Sequence, residues 1–212
     1  ACAPYRRLNL CNKNMVKMDT NNNDGKATHT LLAEVCYAAK YEGDSIKTHY
    51  PLYQHKYGDS DSQICTVLAR SFADIGDIIR GKDVYNGNNR KGEKLEAKIK
   101  EYFQKIYDDL MKDLKKKPAK EEKRKNAEDR YNDGSGNFYQ LREDWWNANR
   151  AKVWEAITCN DDDKLAGAHY FRQTCSTGTR TNDKCRCDGA NVDPPTYFDY
   201  VPQYLRWFEE WA

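Results

Sequence analysis

No stretch of this sequence approaches the ~20 apolar residues needed to cross a bilayer, and no charged-then-apolar leader opens it. Direct membrane insertion by this segment is thereby excluded. Catalytic motifs are missing as well: there is no HExxH, no GxSxG, no phosphate-binding P-loop and no GxGxxG behind a strand. The four histidines, His29, His49, His55 and His169, are scattered, and His49 and His55 lack helical ligand spacing. No metal, cofactor or catalytic set can be assembled, so an enzyme is not expected. Net charge of one sign is scarce too, and a formal +2 gives no general attraction to nucleic acid. Alternating strand patterns and internal repeats are absent, which leaves a mainly α class.

What remains is a polar chain of 212 residues, 32% of them charged, with a mean hydropathy of −1.03. A chain this long still hides roughly 70% of its unfolded surface, so a sizeable core is expected beneath a very polar exterior. The charge is uneven. From Lys112 to Lys125 eight basic residues stand among three acidic ones, a local +5 that can attract polyanions without a basic protein around it. Eight cysteines (Cys2, Cys11, Cys36, Cys65, Cys159, Cys175, Cys185 and Cys187) are many for a reducing compartment. Their even count points to structural disulfides and an oxidising, exported setting, with the pairing unreadable. The opening Ala-Cys and the ending within "YLRWFEEWA" read as a piece of something larger.

Residues 1 to 27 read as irregular, with "ACAPYRRLNLC" closing a small cysteine loop and "MDTNNNDGKA" supplying turn residues. A helix is predicted from Thr28 to Lys40, with Leu32, Cys36 and Ala39 on one face and Gly43 just past its end. A tyrosine-rich connector follows to Tyr57. In "ICTVLARSFADIGDIIRG", Cys65, Leu68, Phe72, Ile75 and Ile79 recur at steps of 3, 4, 3 and 4, a bundle seam closed by Gly81. A long helix from Lys91 to Lys117 carries Leu95, Ile99, Phe103, Ile106, Leu110 and Leu114 and ends at Pro118. The charged stretch from Ala119 to Gly136 lacks an apolar stripe and reads as a mobile loop, at most with a short helical turn. A tryptophan-rich helix follows, then a cysteine-rich irregular segment from Cys159 to Pro195. A last helix opens near Pro202 and places Tyr204, Trp207, Phe208 and Trp211 at i, i+3, i+4 and i+7.

On the tryptophan helix, Tyr139, Trp146, Val153 and Ile157 share one line of a helical wheel, flanked by Trp145 and Trp154. An apolar arc of about half the circumference suits a central bundle helix touching two neighbours. The tryptophans are therefore read as scaffold rather than as a ligand-stacking box. Cys185 and Cys187 would point their sulfurs to one side of an extended segment, with Cys159 and Cys175 as the local partners. Zinc, with His169 as an added ligand, is the competing reading; a lone C-x-C falls short of the usual structural-zinc spacing, and disulfides are expected. Asp19 to Thr30 resembles an EF-hand loop superficially. Asp24 stands where glycine belongs and Thr30 where the bidentate glutamate belongs, which argues against calcium. Asp74 and Asp77, three apart on one helix, have Arg70 and Arg80 within reach for ion pairs.

Five blocks then occur in order: "CAPYRRLNLC", "LARSFADIGDIIRGKDVY", "LREDWWNANRAKVWEAITC", "KCRC" and "PTYFDYVPQYLRWFEEWA". Spanning Cys2 to Ala212, they resemble the Duffy-binding-like domain, in the alpha class found at the head of the malaria parasite's variant erythrocyte membrane protein. The resemblance implies a disulfide-bonded helical bundle with long irregular loops and three subdomains. Residues 1–58 would belong to the first, 59–200 would be the helical second, and 201–212 would open a truncated third. It also implies adhesion. The module would stand on the infected erythrocyte surface as the extracellular part of a membrane protein, beside neighbouring domains of its parent. It would bind a host receptor protein or glycan and share in antigenic variation and virulence. Some alpha-class members take part in rosetting through heparan-sulfate-like glycans.

The candidate glycan contacts are Lys115, Lys116, Lys117, Lys120, Lys123, Arg124 and Lys125. Of these, Lys120, Lys123 and Arg124 would share a face if helical. A solvated, variable loop is the plainer alternative for so lysine-rich a stretch. For the whole chain the alternative is a structural or antigenic spacer, with receptor binding done by a neighbouring domain. The last helix, with Trp207, Phe208 and Trp211 lacking a partner, is expected to expose apolar surface.

Overall fold

The computed structural model describes residues 2–20, 25–57, 62–85, 90–116, 121–132, 134–159, 163–176, 178–189 and 193–211. Along them run α1 (Tyr5–Leu8), α2 (Lys13–Val16), α3 (Ala27–Tyr57), α4 (Ser62–Arg80), α5 (Arg90–Lys115), α6 (Glu121–Tyr131) and α7 (Tyr139–Ile157). A 3-10 turn at Phe198–Tyr200 and α8 (Gln203–Trp211) complete the path. No strand occurs among the described residues; the mainly helical class expected from the periodicity forms, and so do disulfides, which the cysteine count led one to expect.

α7 lies along both α3 and α4, with α5 against α3. The reason is aromatic volume. Phe72 of α4 sits edge-on to Trp154 and tilted against Trp146, with ring centres 5.3 and 5.1 Å away. Phe103 of α5 meets Trp145 edge-on at 6.0 Å. All three indoles are buried, Trp146 completely. They are scaffold. Tyr139, placed on the buried arc by the wheel, is instead exposed at the head of α7, and its neighbour Phe138 is buried against Tyr107.

α3 is much longer than the periodicity suggests. It continues through Gly43 and through the stretch read as a tyrosine-rich connector. Glycine is required at 43 for close approach, not for a cap: a Cβ there would run into the carbonyl of Ile157 at the end of α7. Gly81 does close α4, at φ +72°.

The charged stretch read as a loop contains α6, a helix with no buried residue. Nothing in its apolar pattern could reveal it, because polar contacts hold it. Arg130 donates to both oxygens of Asp144 on α7, at 2.8 and 3.0 Å, and the Tyr131 hydroxyl donates to the same carboxylate at 2.9 Å.

The cysteine-rich segment is tied down twice. Cys65 of α4 bridges Cys185, and Cys175 bridges Cys187. The expected common direction of Cys185 and Cys187 fails because the segment is not extended there. Lys184 and Cys185 take left-handed backbone, φ 53° and 57°, in a tight turn that sends the two sulfurs to separate partners. Cys159, the other expected local partner, lies outside both bridges, as do Cys2, Cys11 and Cys36. The small Cys2–Cys11 loop is therefore not closed. Instead the Cys11 backbone N–H donates to Glu42 at 3.0 Å, while burial and then Glu42 push its thiol up to about 11.

Candidate functional site

α4 has no solvent face over its second half: every residue from Ser71 to Arg80 is buried. Its apolar seam faces the tryptophans, so the opposite side, with Asp74 and Asp77, must find countercharge inside the protein. Asp74 pairs with Arg6 at 2.7 Å and Arg206 at 2.8 Å. Asp77 pairs with Arg80 at 2.8 Å and with the same Arg206. Burial alone would raise the Asp74 carboxyl, but Arg6 and Arg206 outweigh it and hold it below its ordinary 3.8. Arg70, expected to pair here, turns instead to Glu209 at 3.6 Å and to the Arg206 carbonyl at 2.8 Å.

A second buried knot adjoins the first. Asp199 takes two hydrogen bonds from Arg150, at 2.7 and 2.8 Å, and one from the Trp146 indole N–H at 2.9 Å, while its carbonyl accepts from Arg80. Arg142 donates to the last carbonyls of α4, Ile79 at 2.6 Å and Ile78 at 3.1 Å, and forks onto Glu96 of α5 at 2.7 and 2.9 Å. Arg6, Arg142, Arg150, Asp199 and Arg206 escape a motif search. A signal for two of them does exist: Arg142 and Arg150 flank Trp146 at steps of four, on a line whose burial demands carboxylate or carbonyl partners.

The residues weighed for chemistry are not brought together. His29 and His49 are exposed on α3, the His169 Nδ1–H donates to the Thr181 carbonyl at 2.7 Å, and the His55 side chain lies outside the described residues. The carbonyls just before and at the start of the EF-hand-like loop are occupied. Lys98, Tyr102 and Lys105, successive along one face of α5, donate to Met18, Asp19 and Thr20. An open groove of about 1070 Å³ lies between the first two helices and α5, but its carboxylates Asp83 and Glu96 are engaged by Arg7 and Arg142.

The described part of the basic strip falls at the end of α5 and on α6. Lys115 ends α5, and Lys116 follows it, 3.6 Å from Asp113. Lys117 and Lys120 lie outside the described residues. On α6, Lys123 is exposed, Arg124 reaches Glu128 at 3.3 Å and Lys125 reaches Glu121 at 3.8 Å. These are solvent-facing pairs, weakly held and open to competition by an anion.

Charged groups thus divide between arginine–carboxylate knots inside and a helical exterior carrying a basic strip. That defines a class, the disulfide-braced helical domain whose interior is structural. Within it, the chain belongs to the Duffy binding domain family, whose profile matches residues 1–206. It is similar to the NTS-DBL1(alpha-1) domain of the Plasmodium falciparum membrane protein 1 (PfEMP1) from the varO strain. The two are 41% identical with a TM-score of 0.76, over 100% of this chain and 43% of that one. A PfEMP1 DBLb domain solved bound to human ICAM-1 is 28% identical with a TM-score of 0.65, over 97% of this chain and 38% of that one. The Duffy receptor of Plasmodium vivax (strain Salvador I) is 23% identical over 218 residues, covering 100% of this chain and 15% of that protein. The chain spans less than half the length of each of these relatives.

Proposed function

We propose that this chain is part of a host-receptor-binding module of a variant surface antigen, displayed on infected erythrocytes, and that its basic strip contacts sulfated glycans. Family membership supports the adhesion reading, since a relative with this fold is described bound to a host receptor. The observation that carries the glycan contact is α6 itself. It has no fully buried residue, carries Lys123, Arg124 and Lys125, and is tied to α7 through Asp144. Sulfated glycans are read largely by charge, and cations carried on a helix lose less entropy on binding than cations on a loop would. The test is retention on a heparin column before and after reversing Lys115, Lys116, Lys117, Lys120, Lys123, Arg124 and Lys125 to glutamate. Earlier elution of the variant is expected; unchanged retention removes the strip from the account.

The spacer reading has its own support. The chain spans only 38% of the ICAM-1-bound relative, which leaves most of that chain to supply receptor contacts. A cell-adhesion assay on this chain beside the longer head distinguishes the two, because adhesion confined to the longer protein favours the spacer. We assign residues 1–58, 59–200 and 201–212 to the first, second and opening third subdomains. Trp207, expected on the exposed face of α8, is instead buried beside Asp74, and the outward aromatic face, with Tyr204, Phe208 and Trp211 exposed, is consistent with a further element packing there.

A further inference from the structure

We propose that residues 2–11 form a strap that fixes the position of α8, so that docking of the strap and the orientation of the outward face of α8 are thermodynamically linked. This coupling requires no ligand. α8 is nine residues long, and isolated helices shorter than ~12 residues are marginal in water, so its stability comes from what holds it. Two consecutive arginines of α1 grip opposite ends. Arg6 forks onto Glu210 near the end of α8, at 3.0 and 2.8 Å. Arg7 pairs with Asp83, which accepts 2.7 Å away from Gln203, the first residue of α8. The other oxygen-bearing end of that amide accepts from the Val84 N–H at 2.8 Å, so Gln203 is fixed in both directions. One residue beyond Glu210, the Trp211 indole N–H donates to the Cys2 carbonyl at 2.9 Å.

The middle of α8 shares the same support. Arg6 and Arg206 converge on one carboxylate, Asp74, which also lies 3.3 Å from the Trp207 indole nitrogen. Removing Arg6 therefore takes away the partner of Glu210 and half the countercharge of Asp74 in one step. Neighbouring residues on a helix differ by about 100° in direction. Trp207 is 2% exposed and Phe208 68% exposed, so a turn of one residue would exchange them. The grip at both ends holds that rotation. Because coupling free energies are reciprocal, whatever packs on Tyr204 and Phe208 stabilises the strap, and whatever pulls the strap away loosens that face.

Hydrogen exchange on the oxidised full chain tests this. Arg6→Met is expected to speed exchange of the α8 amides tenfold or more while α7 stays protected. Glu210→Gln, which leaves Asp74 and its arginines intact, is expected to speed exchange across residues 5–11. Unchanged α8 exchange in Arg6→Met overturns the proposal, as does unchanged exchange of residues 5–11 in Glu210→Gln. Should Arg6→Met fail to fold, the Glu210→Gln result decides alone.

Discussion

At Asp74, arginines from opposite ends of the chain meet one buried carboxylate. Asp74→Asn keeps the shape and removes the charge, leaving Arg6 and Arg206 under-compensated; a loss of about 3–5 kcal/mol in urea unfolding is expected. For Asp74 the pH dependence has a definite sign, opposite to that of Asp77, whose carboxyl is raised by burial. The folded Asp74 carboxyl lies below its ordinary 3.8, so the unfolded chain binds that proton more readily. The stabilisation is complete above the unfolded value and is lost as pH falls through the lower folded one. Acid titration followed by tryptophan fluorescence should show that loss below pH ~4 in the native chain and lack its contribution in Asp74→Asn. Gly43 offers a steric counterpart. Gly43→Ala forces a methyl onto the Ile157 carbonyl, with an expected cost of about 1–3 kcal/mol, read from the urea midpoint. Neither residue was legible for its role. Asp74 and Asp77 were visible as a pair, but Arg6 and Arg206 lie far away in sequence, and a glycine spacing two helices looks the same in sequence as one ending a helix.

Helices with an apolar period were readable, and helices without one were not. The seam of α4, the stripe of α5 and the arc of α7 all follow from steps of three and four, because burial imposes that spacing. α6 is invisible by the same logic, since its attachment rests on Arg130, Tyr131 and Asp144. The Arg130 hydrogen bond, ahead of the smaller opposing effect of burial, holds Asp144 below its ordinary 3.8. Asp144→Asn is expected to raise exchange at α6 amides while the global unfolding midpoint moves little, as befits a solvent-facing pair. An α6 as protected as before would show that something other than this carboxylate anchors it. The candidate glycan residues were nameable from charge density alone, whereas their partial pairing with Asp113, Glu121 and Glu128 required the folded helix.

Across the whole molecule, bridges and ion pairs join segments that the bundle alone would leave loose. The Cys65–Cys185 bridge closes a separation of 120 residues and Cys175–Cys187 one of 12. By chain entropy the first contributes about 5 kcal/mol and the second about 3 kcal/mol, so the Cys65→Ser, Cys185→Ser double variant should unfold at lower urea than Cys175→Ser, Cys187→Ser. The reverse order would place the strain of the 184–185 turn above loop closure. Pairing of this kind depends on backbone direction at single residues, which composition does not carry. In the proposed function the interior braces the domain and recognition of the host is left to the exterior. The most direct test of that division is adhesion of the oxidised chain to human erythrocytes across a salt series, beside the seven-residue charge-reversed variant of equal thermal stability. Binding should weaken as salt rises and be lost on reversal. Binding indifferent to both, or absent from the folded chain, would contradict it.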